Sequence, residues 1–205
     1  MKIYICKVSK QNKLDALLPL LPEYRVRAYK KCKNFADQRR SLAASLLLYK
    51  AMDDYSISKE TEVTFNDWGK MFYPEEEMFY VNLSHGGDYA VCAVDSKPVG
   101  VDIEVVRPYS EAVLRKIQNS YDQKEIDSII ELKDENEKNH AFTRFWTKKE
   151  SQVKLSGKGI ADLFDGDFLA SHTIYTKALR IYGECYLSVS SFMPFPEGDL
   201  AVEVL

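Results

Sequence analysis

The sequence has 205 residues, of which 45% are hydrophobic, 12% aromatic and 29% charged. This composition excludes a disordered or low-complexity chain and predicts one soluble globular domain or two small, closely packed ones. Its 28 lysine and arginine residues against 31 aspartates and glutamates give a formal net charge of -3, which excludes a global positive field for nucleic acid or membrane binding.

In the first half of the chain, strand and helix patterns alternate. Ile3, Ile5 and Val8 indicate an opening strand, and prolines limit residues 14–21 to a short helix or turn. Apolar positions recur at helical spacing from Arg27 to Tyr49 and predict one long helix. The first half of this helix carries a basic patch, made of Arg25, Arg27, Lys30, Lys31, Lys33, Arg39 and Arg40. The patch is either a solvated helix face or a local anion-binding surface.

A β-hairpin is predicted in the middle of the chain. Residues 62–66 and 80–83 alternate like strands, and the Gly86-Gly87-Asp88 turn precedes a nearly continuous apolar run over 89–94. A further strand is predicted over residues 99–106.

The part of the chain after this strand is predicted to be mainly helical. Helical segments at about 110–118 and 122–133 are followed by a polar connector over 133–139, which we expect to be a solvated loop. A clear helix is predicted over 140–155, and the Ser156-Gly157-Lys158-Gly159 sequence closes it.

The tail from Ala178 to Leu205 indicates two or three strands and contains a faint repeat. Gly87-Asp88-Tyr89-Ala90-Val91 reappears as Gly198-Asp199-Leu200-Ala201-Val202. Four matches in five residues are compatible with two similar α/β halves packed against each other, and coincidence is the alternative.

Targeting, disulfide and zinc signals are weak. No apolar stretch reaches the roughly 20 residues that span a bilayer, and the amino terminus turns polar too soon for a signal peptide. We therefore expect a cytoplasmic protein with no membrane partner. No two of the four cysteines lie close together in the sequence, which predicts reduced, mostly buried thiols at Cys6, Cys32, Cys92 and Cys185. The three histidines show no metal-ligand spacing; they are His85, His140 and His172.

Two carboxylates share one face of the predicted strand over 99–106. Because side chains alternate along a strand, Asp102 and Glu104 point to the same side, opposite to Val101 and Ile103. Same-face residues lie about 7 Å apart, so carboxylates of unequal length can converge on one Mg²⁺ that also keeps phosphate and water ligands. The alternative is an edge strand with solvated acids.

An acid and a base lie four residues apart on the predicted helix over 140–155. Glu150 and Lys154 share one flank of the helix, beside a core-facing stripe formed by Phe142, Phe145, Trp146 and Val153. The alternative for this spacing is an ordinary surface ion pair.

Four segments of the chain resemble segments of the 4′-phosphopantetheinyl transferase superfamily and follow one another in the same order. The length of the chain is near that of the longer, Sfp-like branch of this superfamily. The two signature motifs are Gly100-Val101-Asp102-Ile103-Glu104 and Phe145-Trp146-Thr147-Lys148-Lys149-Glu150-Ser151 with Lys154. The upstream segments are Val81-Asn82-Leu83-Ser84-His85-Gly86-Gly87 and Trp68-Gly69-Lys70, where Met71 replaces the proline usual in that family.

The resemblance implies an α+β fold in which two similar halves form a pseudo-dimer with the active site in the cleft between them. We assign residues 1–98 to the half that binds the nucleotide of coenzyme A and residues 99–205 to the half with the metal-binding acids. The implied reaction transfers 4′-phosphopantetheine from coenzyme A to a serine of an apo acyl or peptidyl carrier protein and releases 3′,5′-ADP. The implied protein is a Mg²⁺-dependent enzyme and a monomer.

The resemblance also implies roles for individual residues. Asp102, Glu104 and Glu150 would hold Mg²⁺, Lys154 would contact the pyrophosphate, and Glu150 would help to remove the serine proton, with Glu125 as a weaker catalytic candidate. The residues implied in coenzyme A binding are Lys31, Arg40, Lys70, Ser84, His85 and Lys154. For the carrier protein, Val113, Leu114 and Ile117 are either an apolar platform or core residues.

Two other functions are open to the same sequence. One is a catalytically inactive module that binds coenzyme A or a carrier protein, although the complete set of acids and Lys154 argues against lost activity. The other is a different Mg²⁺-dependent phosphoryl or phosphodiester enzyme that uses the same acids.

Overall fold

The computed structural model describes residues 1–109, 123–159, 171–195 and 200–205. In chain order the elements are β1 (Lys2–Lys7), α1 (Glu23–Lys31), α2 (Phe35–Asp54), β2 (Thr64–Phe65), β3 (Met71–Phe72), β4 (Tyr80–Gly86), β5 (Tyr89–Asp95), β6 (Val99–Val105), α3 (Gln123–Glu131), α4 (Glu135–Ser156), β7 (Tyr175–Ile181), β8 (Cys185–Ser191) and β9 (Ala201–Val204). A 3₁₀ helix over Leu14–Leu20 precedes α1. The mixture of helices and sheets confirms the predicted α+β class.

The first sheet has the strand order β4-β5-β1-β9. Strands β4 and β5 form the predicted hairpin, with Gly87 in the left-handed region at φ 56° in its turn. Strand β1 pairs antiparallel with β5 and parallel with β9. Strand β9, near the end of the chain, therefore lies in the same sheet as β1. One face of this sheet packs against α2 through buried side chains that include Leu47, Leu48 and Met52.

Where one long helix was predicted over 27–49, the structure has two helices, and the prediction is wrong on this point. Helix α1 ends at Lys31, and α2 begins after Asn34, whose side-chain oxygen accepts a hydrogen bond from the Asp37 amide at 2.8 Å. An asparagine at this position satisfies an amide that has no partner within the helix, and so it starts a new helix. The apolar periodicity continued across the break and concealed it.

The second sheet has the order β6-β8-β7 and packs against the other face of the first sheet. Val101 and Ile103 of β6 lie in this apolar layer with Ile3 and Ile5 of β1. As the period of two predicted, Asp102 and Glu104 point to the opposite face. That face is covered by helix α4, which approaches closely because a Cβ on Gly100 would overlap the Ser151 carbonyl oxygen.

Helix α4 is longer than predicted. It begins at Glu135 rather than near His140, because Asp134 accepts a hydrogen bond from the Glu137 amide at 2.8 Å and caps the helix. The expected solvated loop over 133–139 is therefore mostly helical. The helix ends as predicted, with Gly157 in the left-handed region at φ 69°.

Helix α3 lies within the segment predicted over 122–133. The helix predicted at 110–118, and with it Val113, Leu114 and Ile117, lies outside the described residues. Across the ranges that the structure describes, no helix combines the length and apolar character of a membrane span.

Candidate active site

Strands β4 and β6 and helix α4 bring six of the predicted site residues to one cavity of about 550 Å³. Strand β4 supplies Ser84 and His85, β6 supplies Asp102 and Glu104, and α4 supplies Glu150 and Lys154. The two strands lie close together because Gly86 has no side chain, whereas a Cβ there would overlap the Ile103 carbonyl oxygen. The Asn82 side chain also accepts a hydrogen bond from the Val101 amide at 2.9 Å and fixes the two strands in register.

Asp102, Ser84 and Lys154 form a hydrogen-bonded triad in this cavity. The Lys154 ammonium donates to Asp102 Oδ1 at 2.6 Å and to Ser84 Oγ at 2.8 Å, and Ser84 Oγ donates to the same Asp102 oxygen at 2.8 Å. Asp102 is only 4% exposed. Its other oxygen, Oδ2, is buried and has no hydrogen-bond partner among the described residues.

Glu104 and Glu150 add two more carboxyl groups to the cavity. Burial raises the pKa of Glu150 above its usual value, the negative charge of Asp102 raises it further, and Lys154 opposes the shift. Burial and Asp102 likewise raise the pKa of Glu104, while Arg107 and Lys154 oppose this. Burial and the negative charge of Asp102 thus disfavour the anionic forms of Glu104 and Glu150, and a bound cation would relieve this effect.

The donor set fits a hard divalent cation. In the arrangement observed, no three histidine, cysteine or acidic side chains of the described residues are grouped closely enough to ligate one ion. However, Asp102 offers a buried oxygen without a partner, and Glu104 and Glu150 supply carboxylate oxygens, the ligands that Mg²⁺ prefers. These three residues are the ones that would hold the ion.

Glu125 is not brought into this cavity. It lies on α3, and both of its carboxylate oxygens accept hydrogen bonds from the Lys148 ammonium, at 2.8 and 3.1 Å. The contact ties α3 to α4. Among the described residues, Glu125 therefore forms an ion pair with Lys148, and its catalytic role stays a prediction.

His85 lies at the rim of the cavity, next to two cationic side chains. Partial burial lowers the pKa of its imidazole, and the positive charges of Arg40 and Lys154 lower it further. Arg40 itself donates to the Gly87 carbonyl at 2.9 Å and forms an ion pair with Asp37. Arg40 therefore lies beside the hairpin turn that follows His85, close to the cavity but outside its lining.

Lys31 and Lys70 lie outside this cavity. Lys31 is exposed in the last turn of α1, next to Cys32, which does line the cavity. The Lys70 ammonium donates to the carbonyl oxygens of Lys154 and Leu155, both at 2.7 Å, and of Val99 at 3.3 Å. All three of its donors thus contact backbone, and its role in coenzyme A binding stays a prediction.

Arg25 is a cavity residue that the sequence did not single out from its basic neighbours. Its guanidinium donates to Ser45 Oγ at 2.9 Å and to the Ser41 carbonyl at 3.0 Å, and burial lowers its pKa. No carboxylate in the described ranges forms an ion pair with it. In the sequence, membership of the basic patch was the only indication of a role for Arg25. Which residue of the patch faces the cavity depends on the break between α1 and α2.

An aromatic wall borders the site on the side of Glu104. Tyr109 stacks on Phe142 at 4.3 Å between ring centroids, and Phe142 stacks on Trp146 at 6.1 Å. These rings line a second cavity of about 380 Å³ that shares Glu104 and Trp146 with the first. Phe142 and Trp146, predicted to face the core, are thus partly directed to this cavity.

Comparisons with known proteins find the superfamily that the sequence motifs resemble. The model of the 4′-phosphopantetheinyl transferase superfamily matches residues 98–192, which include β6 and α4. The chain is 26% identical over 202 residues to 4′-phosphopantetheinyl transferase Sfp of Bacillus subtilis (strain 168), covering 94% of this chain and 86% of that protein.

Two further relatives are also named as transferases of this kind. The chain is 27% identical to 4′-phosphopantetheinyl transferase ffp of Bacillus subtilis, covering 78% of this chain and 70% of that protein. It is 31% identical to 4′-phosphopantetheinyl transferase gsp of Aneurinibacillus migulanus, covering 65% of this chain and 54% of that protein. By its motifs, its cavity residues and these alignments, the chain is similar to the 4′-phosphopantetheinyl transferase superfamily, and the alignment with Sfp extends over most of its length.

Proposed function

We propose that this protein transfers the 4′-phosphopantetheine group of coenzyme A to a serine of an apo carrier protein. The observation that carries the proposal is the Asp102, Ser84 and Lys154 triad, flanked by Glu104 and Glu150 in one cavity of a chain similar to this superfamily. Relatives along most of the chain bear the name of the same transferase activity.

In this reaction the carrier serine oxygen attacks the phosphorus that bears pantetheine. A new P–O bond forms, the P–O bond to the departing 3′,5′-ADP breaks, and the serine hydroxyl loses its proton. Glu150 accepts that proton, directly or through water, because a carboxylate whose pKa is raised by burial is a better base near neutral pH.

Negative charge grows on the pyrophosphate oxygens as the bond breaks, and cationic side chains stabilise it. Lys154 supplies a point charge beside Asp102, and Ser84 and His85 supply a hydroxyl and an imidazole at the same end of β4. Arg25 adds a partly buried guanidinium to the lining of the cavity. Asp102, Glu104 and Glu150 would hold Mg²⁺, which would supply charge neutralisation at the pyrophosphate.

The arrangement of the chain that we propose is a pseudo-dimer of residues 1–98 and 99–205, active as a monomer in the cytoplasm. Support comes from the origin of the cavity residues, since Ser84 and His85 precede the division and the acids and Lys154 follow it. Strand β9 belongs to the second half of the chain but pairs with β1 in the first sheet, so the second half would contribute its last strand to the sheet of the first half.

A catalytically inactive module that binds coenzyme A or a carrier protein is the alternative. It predicts that coenzyme A binds without being consumed, whereas the transferase releases 3′,5′-ADP only when an apo carrier is present. Chromatography of the nucleotide products, with and without carrier, separates the two functions. A nucleotide product other than 3′,5′-ADP would instead identify a different Mg²⁺-dependent phosphoryl or phosphodiester enzyme.

The matched variants for this experiment are Glu150→Gln and Glu137→Gln. Both replace a glutamate of α4, but Glu150 lines the cavity and Glu137 is exposed in the first turn. We expect release of 3′,5′-ADP to be lost in Glu150→Gln and kept in Glu137→Gln. Equal release by both variants would contradict the role of the cavity.

A further inference from the structure

The loop between β2 and β3 packs against the carboxyl end of helix α4, far along the chain from it. The Asn66 side-chain amide donates to the Gly157 carbonyl at 2.7 Å, and its oxygen accepts hydrogen bonds from the amides of Trp68 and Lys70. Gly157 fits only because it has no side chain, since a Cβ would lie 2.8 Å from Lys70 Cδ. The loop is therefore shaped to present the Lys70 side chain to the end of α4.

At that end the Lys70 ammonium replaces the hydrogen bonds that a terminating helix lacks. The last carbonyl groups of a helix have no intrahelical donor and carry the negative end of the helix dipole, which a cation satisfies. Lys70 contacts the carbonyl oxygens of Lys154 and Leu155 at 2.7 Å. Partial burial lowers the pKa of Lys70 to about 8, and the contacts with the carbonyl oxygens offset this cost to the charged form.

The third contact of Lys70 reaches the strand that carries the metal-binding acids. Its ammonium lies 3.3 Å from the Val99 carbonyl oxygen at the start of β6, three residues before Asp102. One ammonium thus joins the backbone of Lys154 to the strand of Asp102, and the side chains of those two residues meet at 2.6 Å.

We propose that Lys70 is a positioning residue that holds the Lys154 ammonium against Asp102 and Ser84. Lys70 acts through the backbone of Lys154 and does not touch the substrate. The inference rests on the proposed transferase function only for its kinetic test, because the contacts themselves are those of the protein alone.

The kinetic test compares Lys70→Met, which keeps the aliphatic stem, with Lys97→Met, an exposed lysine in the turn between β5 and β6. We expect Lys70→Met to lower kcat by about tenfold or more, because small displacements of a reacting group are costly, and to leave KM for coenzyme A within about twofold. The preference for coenzyme A over dephospho-coenzyme A should not change. Lys97→Met should match the wild type.

Two other results would overturn the inference. A raised KM with unchanged kcat and an altered donor preference would make Lys70 a ligand of the coenzyme A phosphate after all. A lowered thermal midpoint with normal kcat would make it a structural cap only.

A double variant decides whether Lys70 acts through Lys154. In a Lys154→Met background, Lys70→Met should cause no further loss of kcat, since the group it positions is gone. A full additional loss would show that Lys70 acts independently. If Lys70→Met does not fold, Lys70→Gln takes its place, because it also removes the ammonium but keeps a polar side chain at the end of α4. The same loss of kcat is expected, and a normal kcat in this variant would overturn the inference.

An inactive wild type would refute the transferase function, and the positioning role would still be testable by NMR. The hydrogen-bonded Lys154 ammonium should give a protected ¹H–¹⁵N signal in the wild type and lose this protection in Lys70→Met. An unchanged Lys154 signal would overturn the inference whatever the activity.

Discussion

The Lys154 ammonium lies 2.6 Å from one oxygen of Asp102, and the other oxygen of that carboxylate is buried without a partner among the described residues. The carboxylate is thus half satisfied by the protein, and Asp102 lines a cavity together with Glu104 and Glu150. Lys154 compensates part of the buried negative charge of Asp102, and the second carboxylate oxygen can ligate one more cation.

Replacing Lys154 with methionine should destabilise the protein. The change leaves Asp102 Oδ1 with only Ser84 as donor in a site where Asp102 is 4% exposed, which should cost about 1–3 kcal/mol. Urea unfolding of Lys154→Met, Asp102→Asn and the double variant measures this. The double variant should lose less than the sum of the two single variants, and simple additivity would show that the contact has no energetic weight.

Glu150→Gln should lower activity by about 10²-fold or more, the usual scale for loss of a general base, here with a lost metal ligand. Turnover is measured with coenzyme A, Mg²⁺ and an apo carrier. Glu137→Gln is the control, because it changes the same residue type on an exposed turn of α4. A folded Glu150→Gln protein with near-normal turnover would remove both proposed roles.

The same variant should be more stable than the wild type at neutral pH in a chelator. Burial and Asp102 raise the pKa of Glu150 above 4.5, so ionising it costs folding free energy at any pH above that raised value. The cost disappears as the pH falls to the ordinary glutamate value, because the wild-type group is then protonated in both states. The gain in thermal midpoint of Glu150→Gln over the wild type should therefore shrink as the pH falls. A gain that grows on acidification would mean that the pKa of Glu150 is lowered rather than raised.

Mg²⁺ should raise the thermal midpoint of the wild type more than that of Glu150→Gln. The ion would neutralise carboxylates that disfavour each other, and a ligand that binds only the folded state stabilises it. Differential scanning fluorimetry across a Mg²⁺ titration measures the difference. Equal responses of the two proteins, or undiminished transfer after treatment with a chelator, would remove the metal assignment.

Arg40→Ala distinguishes a phosphate ligand from a structural arginine. If Arg40 contacts the 3′-phosphate of coenzyme A, its loss removes a charge-assisted contact of about 1.5–3 kcal/mol, roughly ten- to hundred-fold in kcat/KM. Dephospho-coenzyme A lacks that phosphate and should be used as before. An unchanged ratio of kcat/KM for the two donors would leave Arg40 with its contacts to Gly87 and Asp37 alone.

The site was predictable from sequence where a local period sets the direction of a side chain. Alternation along β6 placed Asp102 and Glu104 on one face, and helical spacing placed Glu150 and Lys154 on one flank of α4. The spacing also suggested a Glu150–Lys154 ion pair, but the ammonium crosses to Asp102 on another element. That choice depends on the close approach at Gly100, which is a tertiary feature.

The structure departs from the sequence pattern where single hydrogen bonds or partners distant in sequence determine the local arrangement. Asn34 and Asp134 start new helices by capping one amide each, and neither residue interrupts the apolar period. Lys70 matched a motif associated with nucleotide binding, yet its partners are carbonyl groups at residues 99, 154 and 155. Glu125 pairs with Lys148 on the neighbouring helix. Sequence separation hides such contacts until the fold is known.

The decisive measurement for the proposed transferase is the intact mass of an apo carrier protein after incubation with this protein, coenzyme A and Mg²⁺. We predict that the carrier gains one phosphopantetheine on its serine, with one 3′,5′-ADP released for each carrier modified. Carriers from fatty acid, polyketide and peptide synthesis are tested together. Unmodified carriers throughout this panel, with folded protein and intact coenzyme A, would contradict the proposed function.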